Sequence, residues 1–112
     1  MIEYPSDVIK ELASLRLQAE KGIIILAEAE RNYVLLALDA DREESFAFLE
    51  ADGSVAERQH VARLKSLDAK QASELAKVEV NRVKLKLKQI SEGQMNVQSQ
   101  ARMIELEYKT TK

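Results

Sequence analysis

The 112-residue chain has no cysteine and no tryptophan, one histidine, one proline and three glycines. Without cysteine there is no disulfide framework, no thiol nucleophile and no thiolate metal site, which fits a reducing compartment. Aromatic residues make up only 4% of the chain; a sheet-rich fold would want them, with Val, Ile, Thr and frequent turn residues. No long apolar run is present. The most apolar stretch, Gly22–Ala27, is bracketed by Lys21 and Glu28, far short of the roughly 20 residues that span a bilayer, so no membrane partner is expected. A glycine-rich phosphate loop and a Ser/His/Asp set are also missing, and the chain is not expected to be an enzyme or to carry a cofactor.

What is present is 46% hydrophobic and 32% charged residues, rich in Ala, Leu, Glu, Lys and Gln, the composition of long helices. Two places read as punctuation. Tyr4-Pro5-Ser6-Asp7 can start a helix with Ser6 as N-cap. Asp52-Gly53-Ser54-Val55-Ala56-Glu57 can end one helix at Gly53 in a left-handed conformation and start another with Ser54 and Glu57 as a capping box. The expected fold is therefore all-α: a long antiparallel, coiled-coil-like helical hairpin forming one domain over residues 1–112. Its first helix covers about 6–51, its turn 52–54 and its second helix about 55–109. Gly22, Ser66–Asp68 and Gly93 are open as breaks or bends.

Periodicity supports the hairpin. Ala76, Val80, Val83, Leu87, Ile90, Gln94, Val97, Ala101, Ile104 and Tyr108 follow alternating steps of four and three, a heptad seam. The first half has its own seam: Leu12, Leu15, Ala19, Gly22, Leu26, Ala29, Tyr33, Leu36 and Ala40, continued by Glu43, Ala47 and Glu50. Pairing residues whose numbers add to 109 sets small side chains against large ones, as with Gly22 and Leu87 or Ala29 and Val80, and centres the fold on the expected turn. Edge charges fit this register, with Glu44 near Arg63 and Glu30 near Lys77. A polar Gln94 next to Gly93 reads as a register-setting layer.

A lone hairpin leaves apolar side chains off both seams. Ile23, Leu35, Leu38, Leu75, Val78, Leu85, Met103 and Leu106 are the expected contacts of a homo-oligomer, a bundle or ring of hairpins. Charge is split between the halves: residues 1–52 carry five basic and twelve acidic side chains, and residues 53–112 carry twelve and seven. The densest basic stretch holds Arg82, Lys84, Lys86 and Lys88, a candidate single-stranded DNA grip through the phosphate backbone. No aromatic lies within it, so base stacking would need Tyr108 or a neighbouring subunit. The opposing reading is a solvated face whose lysines pair with the acidic first helix. Glu57-Arg58-Gln59-His60 has the Glu-x-x-His spacing of a di-metal helix, completed if Glu50 or Glu43 came near. Its place at an exposed turn, with a single histidine, favours a surface histidine and no metal site.

The segment Ser73–Lys109, "SELAKVEVNRVKLKLKQISEGQMNVQSQARMIELEYK", with an acidic helix and the "EADGSVAERQ" turn before it, resembles the UvsY-like family of small helical phage recombination mediators. The resemblance covers about residues 20–110. It implies a cytoplasmic (host cytoplasm if phage-encoded), ring-forming protein that binds single-stranded DNA and helps load a recombinase or annealing protein. Lys84, Lys86 and Lys88, with Arg82 in support, would carry the DNA. The alternative is a non-catalytic coiled-coil assembly or chaperone protein without nucleic-acid binding.

Overall fold

A computed structural model describes residues 5–110. Among them the chain is all-helical, with three helices in order: α1 (Pro5–Glu50), α2 (Val55–Lys65) and α3 (Leu67–Thr110). α1 starts on Pro5, whose fixed φ suits a first helical position, so Ser6 lies inside the first turn instead of capping it. Gly22 and Gly93 do not interrupt their helices.

The turn forms as its residues dictate. Gly53 takes φ 108°, the chain's positive-φ glycine, a region that any Cβ would strain. Ser54 is extended (φ −68°, ψ 164°), and its Oγ accepts from the Glu57 backbone N–H at 3.2 Å. α1 has no basic residue in its last turn, and α2 supplies one. Arg58 donates from Nε to the Phe48 carbonyl at 3.1 Å, and its guanidinium lies 4.6 Å from the Phe48 ring centroid. A carbonyl left open at a helix end is thereby satisfied by a cation favoured at that end.

The second arm, expected as one helix, is broken at Ser66 (φ −95°, ψ 1°). Its hydroxyl donates to the Ala62 carbonyl at 2.8 Å and lies within reach of the Arg63 carbonyl at 3.3 Å. Such back-bonding by a serine competes with the helix ladder and bends it. The chain still bridges the break, because Ser66 N–H bonds Ala62 O and Lys70 N–H bonds Ser66 O.

The structure divides into two compact units, one of Leu26–Arg82 and one of residues 5–25 with 83–110. In the first, the C-terminal half of α1 packs antiparallel to α2 and the start of α3. Its centre is Ala40, Ala47, Ala62, Ala76 and Val80, with Ser66 and Ser73 also buried. Side chains this small let helix axes approach closely. The seam of α1 keeps Ala47 as expected but departs from expectation on either side of it: Glu43 and Glu50 are exposed, while Glu44, Phe48 and Ala51 turn inward. An α-helix of 3.6 residues per turn drifts away from a strict seven-residue repeat, and with no supercoil imposed by larger side chains the contact row moves by one position.

In the second unit, the N-terminal half of α1 packs antiparallel to the rest of α3. Val8, Val83 and Val97 are buried, and Leu12, Leu15, Ala19, Leu87, Ile90, Gln94, Ala101 and Ile104 are half-buried. Leu87 fills the space over Gly22, where an added Cβ would meet Leu87 Cδ2 and come within 3.3 Å of its Cγ. Leu15 lies over Gly93 more loosely, 3.6 Å from the position of such a Cβ. Each glycine receives a leucine from the opposite helix, the small-against-large layering that the seams imply.

Candidate nucleic-acid interface and apolar outer faces

The basic stretch lies wholly within α3 and is helical throughout, so its alternation is not that of a strand. At about 100° per residue, Lys84 and Lys88 share one face, about 40° apart, whereas Lys86 stands on the other side of the helix with Arg82. All four are exposed, as phosphate-binding cations must be, but no single helix face gathers all four. Arg82 is already engaged. It donates from Nε and Nη2 to the two carboxylate oxygens of Glu79 at 2.9 and 2.7 Å. That bidentate hydrogen bonding holds the Glu79 carboxyl below its usual range and pushes the Arg82 guanidinium up. Glu79 was not singled out from the sequence, although a carboxylate three residues before an arginine on a helix is a recognisable pair.

Edge pairing between the arms differs from expectation. Glu44 meets Lys70, with Nζ and Oε2 2.6 Å apart, instead of Arg63, and among the ion pairs of the described residues none joins Glu30 to Lys77. The reason is geometric: Glu44 turns toward α3 when the seam shifts, and the long Lys70 chain reaches it diagonally. Lys70 is thus a basic residue of the second arm used for pairing within the chain. The Tyr108 side chain lies outside the described residues.

Comparison with protein-family models, curated proteins and solved structures gave no match.

The Glu57-x-x-His60 pair sits on α2 just after the turn, with both residues exposed. Glu57 belongs to the helix cap, its carboxylate lying against Gly53. Among the described residues no three His, Asp or Glu side chains converge as metal ligands. An open cleft in the first unit is lined by Asp41, Glu44, Ser45, Phe48, Leu49, Gln59 and Ala62. No helix among the described residues is long and apolar enough to cross a membrane.

The apolar surface is the most unusual feature. Every buried hydrophobic residue is an alanine or a valine. The seam leucines and isoleucines are half-buried, and many large side chains off the seams are outside: Ile23 is 63% exposed, Leu35 51%, Leu38 54%, Leu75 63%, Val78 63%, Leu85 57%, Met103 63% and Leu106 58%. Ile9, Leu17, Ile24, Ile25, Val34, Phe46, Leu49, Val55, Leu64, Leu67 and Met95 join them. The eight expected interface residues are therefore exposed apolar positions, divided between the units: Leu35, Leu38, Leu75 and Val78 in the first, Ile23, Leu85, Met103 and Leu106 in the second.

Proposed function

We propose that this chain is a non-catalytic, homo-oligomeric helical-hairpin protein that binds single-stranded DNA along α3. The observation that carries the oligomer is the amount of large apolar side chain left outside: the fully buried positions hold only alanine and valine, the seam leucines and isoleucines are half-buried, and many other leucines, isoleucines, methionines and a phenylalanine are more than half exposed. Full burial of such a large side chain contributes about 1.5–3 kcal/mol, so covering its exposed half contributes about 1 kcal/mol. Covering most of the nineteen side chains that are more than half exposed among the described residues then contributes roughly 15–20 kcal/mol. Association costs on the order of 4–15 kcal/mol. An assembly that covers most of this surface would offset that cost, and large exposed apolar patches are what contact sites present.

Lys84, Lys86 and Lys88 supply the DNA contacts, with Arg82 in support once it leaves Glu79. Their placement around α3 suits a flexible single strand that wraps the helix better than a flat duplex edge. Repetition of the segment in an assembly multiplies a weak site by avidity. By its resemblance to UvsY-like mediators, the DNA-bound assembly would help load a recombinase or annealing protein. A second reading, assembly without nucleic acid, is supported by the pairing of Lys70 with Glu44 between the arms and of Arg82 with Glu79 within α3, where basic residues are matched by the chain's own carboxylates.

Fluorescence polarisation of a labelled oligonucleotide separates the two. The DNA reading expects binding that weakens steeply as salt rises. It also expects Lys84→Glu with Lys88→Glu to abolish binding while the oligomer persists. Absence of binding by the wild type at low salt would leave assembly alone as the function.

A further inference from the structure

One exposed face of α1, bordering the cleft toward α2 at Asp41 and Ser45, reads alike in both directions. Its exposed residues Ala27, Arg31, Val34, Leu38, Asp41 and Ser45 are spaced by four, three, four, three and four, so the row is symmetric about residue 36. Reversal sets small on small (Ala27 and Ser45), apolar on apolar (Val34 and Leu38) and cation on anion (Arg31 and Asp41). A twofold interface requires this property, since the same patch must suit itself after rotation. Val34 and Leu38 are 53% and 54% exposed, and neither Arg31 nor Asp41 belongs to an ion pair among the described residues. The outer row of the second arm has no such symmetry: reversing Leu64, Leu67, Gln71, Leu75, Val78 and Arg82 sets Arg82 on Leu64, and Glu79 already holds Arg82.

We infer that two copies of the chain pair antiparallel along this face of α1, about a twofold axis beside residue 36. Each copy's Arg31 meets the partner's Asp41, and each Val34 packs on the partner's Leu38. Leu35, 51% exposed, lies beside the axis and meets its own twin. The inference rests on the proposed self-association and names the face and register of one of its contacts. Charge complementarity selects a second copy as occupant, because the two charged positions exchange under the same rotation that matches the apolar ones.

Charge reversal tests the register. Arg31→Asp or Asp41→Arg alone places like charges across the interface, and each is expected to weaken association about tenfold or more. The double variant Arg31→Asp/Asp41→Arg restores the pair in reverse and is expected to recover association to near the wild-type value. Circular dichroism of each variant checks that the helices persist. Because the protein has no cysteine, cross-linking has no background. Leu35→Cys is expected to oxidise to a covalent dimer. Ser45→Cys is not, since its twin would lie about 27 Å away along the helix at 1.5 Å per residue. An oligomer that shows no rescue in the double variant, or cross-links equally from both positions, overturns this interface and leaves self-association standing. A wild type that is monomeric throughout overturns both.

Discussion

Gly22→Ala and Gly93→Ala add the same methyl group at two mid-helix positions with different ceilings. Replacing a helical glycine by alanine is intrinsically favourable by about 0.8–1 kcal/mol. At Gly93 the new Cβ would stand 3.6 and 3.9 Å from the two methyls of Leu15, ordinary contact distances, so the whole gain is expected. At Gly22 it would collide with Leu87 Cδ2 and stand 3.3 Å from Leu87 Cγ, forcing Leu87 out of its place. Overpacking of this kind costs about 1–3 kcal/mol, which cancels or outweighs the gain. Gly93→Ala is therefore expected to be stabilised by about 1 kcal/mol and Gly22→Ala to lie about 1–3 kcal/mol below it. Urea unfolding followed by circular dichroism reads the difference, at one protein concentration for all variants because association adds concentration-dependent stability. Leu87→Val in the Gly22→Ala background should recover part of the loss non-additively. Equal stability of the two single variants would refute the Gly22–Leu87 packing.

Arg58→Gln removes both the hydrogen bond to the Phe48 carbonyl and the stacking on the Phe48 ring; a loss of about 1–2 kcal/mol is expected in the same unfolding assay. Glu79→Gln takes away the carboxylate that holds Arg82, and should tighten oligonucleotide binding while steepening its salt dependence by up to about one counterion. Lowering the pH should act in the same direction. With its pKa lowered by the hydrogen bonds from Arg82, Glu79 protonates at lower pH than an unpaired glutamate, and Arg82 is released as pH falls through that lowered value. Carboxyl chemical shifts of Glu79 against pH would track the release.

The turn and the two inner seams were legible in the sequence because their signals are local: a glycine that can take positive φ, a serine three residues before a glutamate, and heptad spacing of apolar residues. Gly53, Ser54 and the seam from Ala76 to Ile104 all take the expected roles. The departures arise where packing decides. A break at Ser66–Asp68 was left open by the sequence, and the buried hydroxyl of Ser66, bonded to a carbonyl of its own helix, decides it; that burial is not readable from the residue alone. Glu44 displaced Glu43 at the seam because the repeat of the sequence and the repeat of the helix differ by a fraction of a residue per turn, an error that accumulates over α1. The preference of Glu44 for Lys70 over Arg63 followed from the same rotation. At the basic stretch, exposure was foreseen and the capture of Arg82 by Glu79 was not: the alternation of apolar and basic residues starts at Val83, and the pairing carboxylate lies outside it, three residues before Arg82.

Self-association is the claim on which the rest stands, and light scattering coupled to size exclusion across a range of protein concentrations tests it most directly. The expected result is a mass that is a whole-number multiple of the 12.7 kDa chain and falls only on strong dilution. A constant 12.7 kDa species at the highest concentrations would contradict it, and the exposed leucines and isoleucines would then need another explanation.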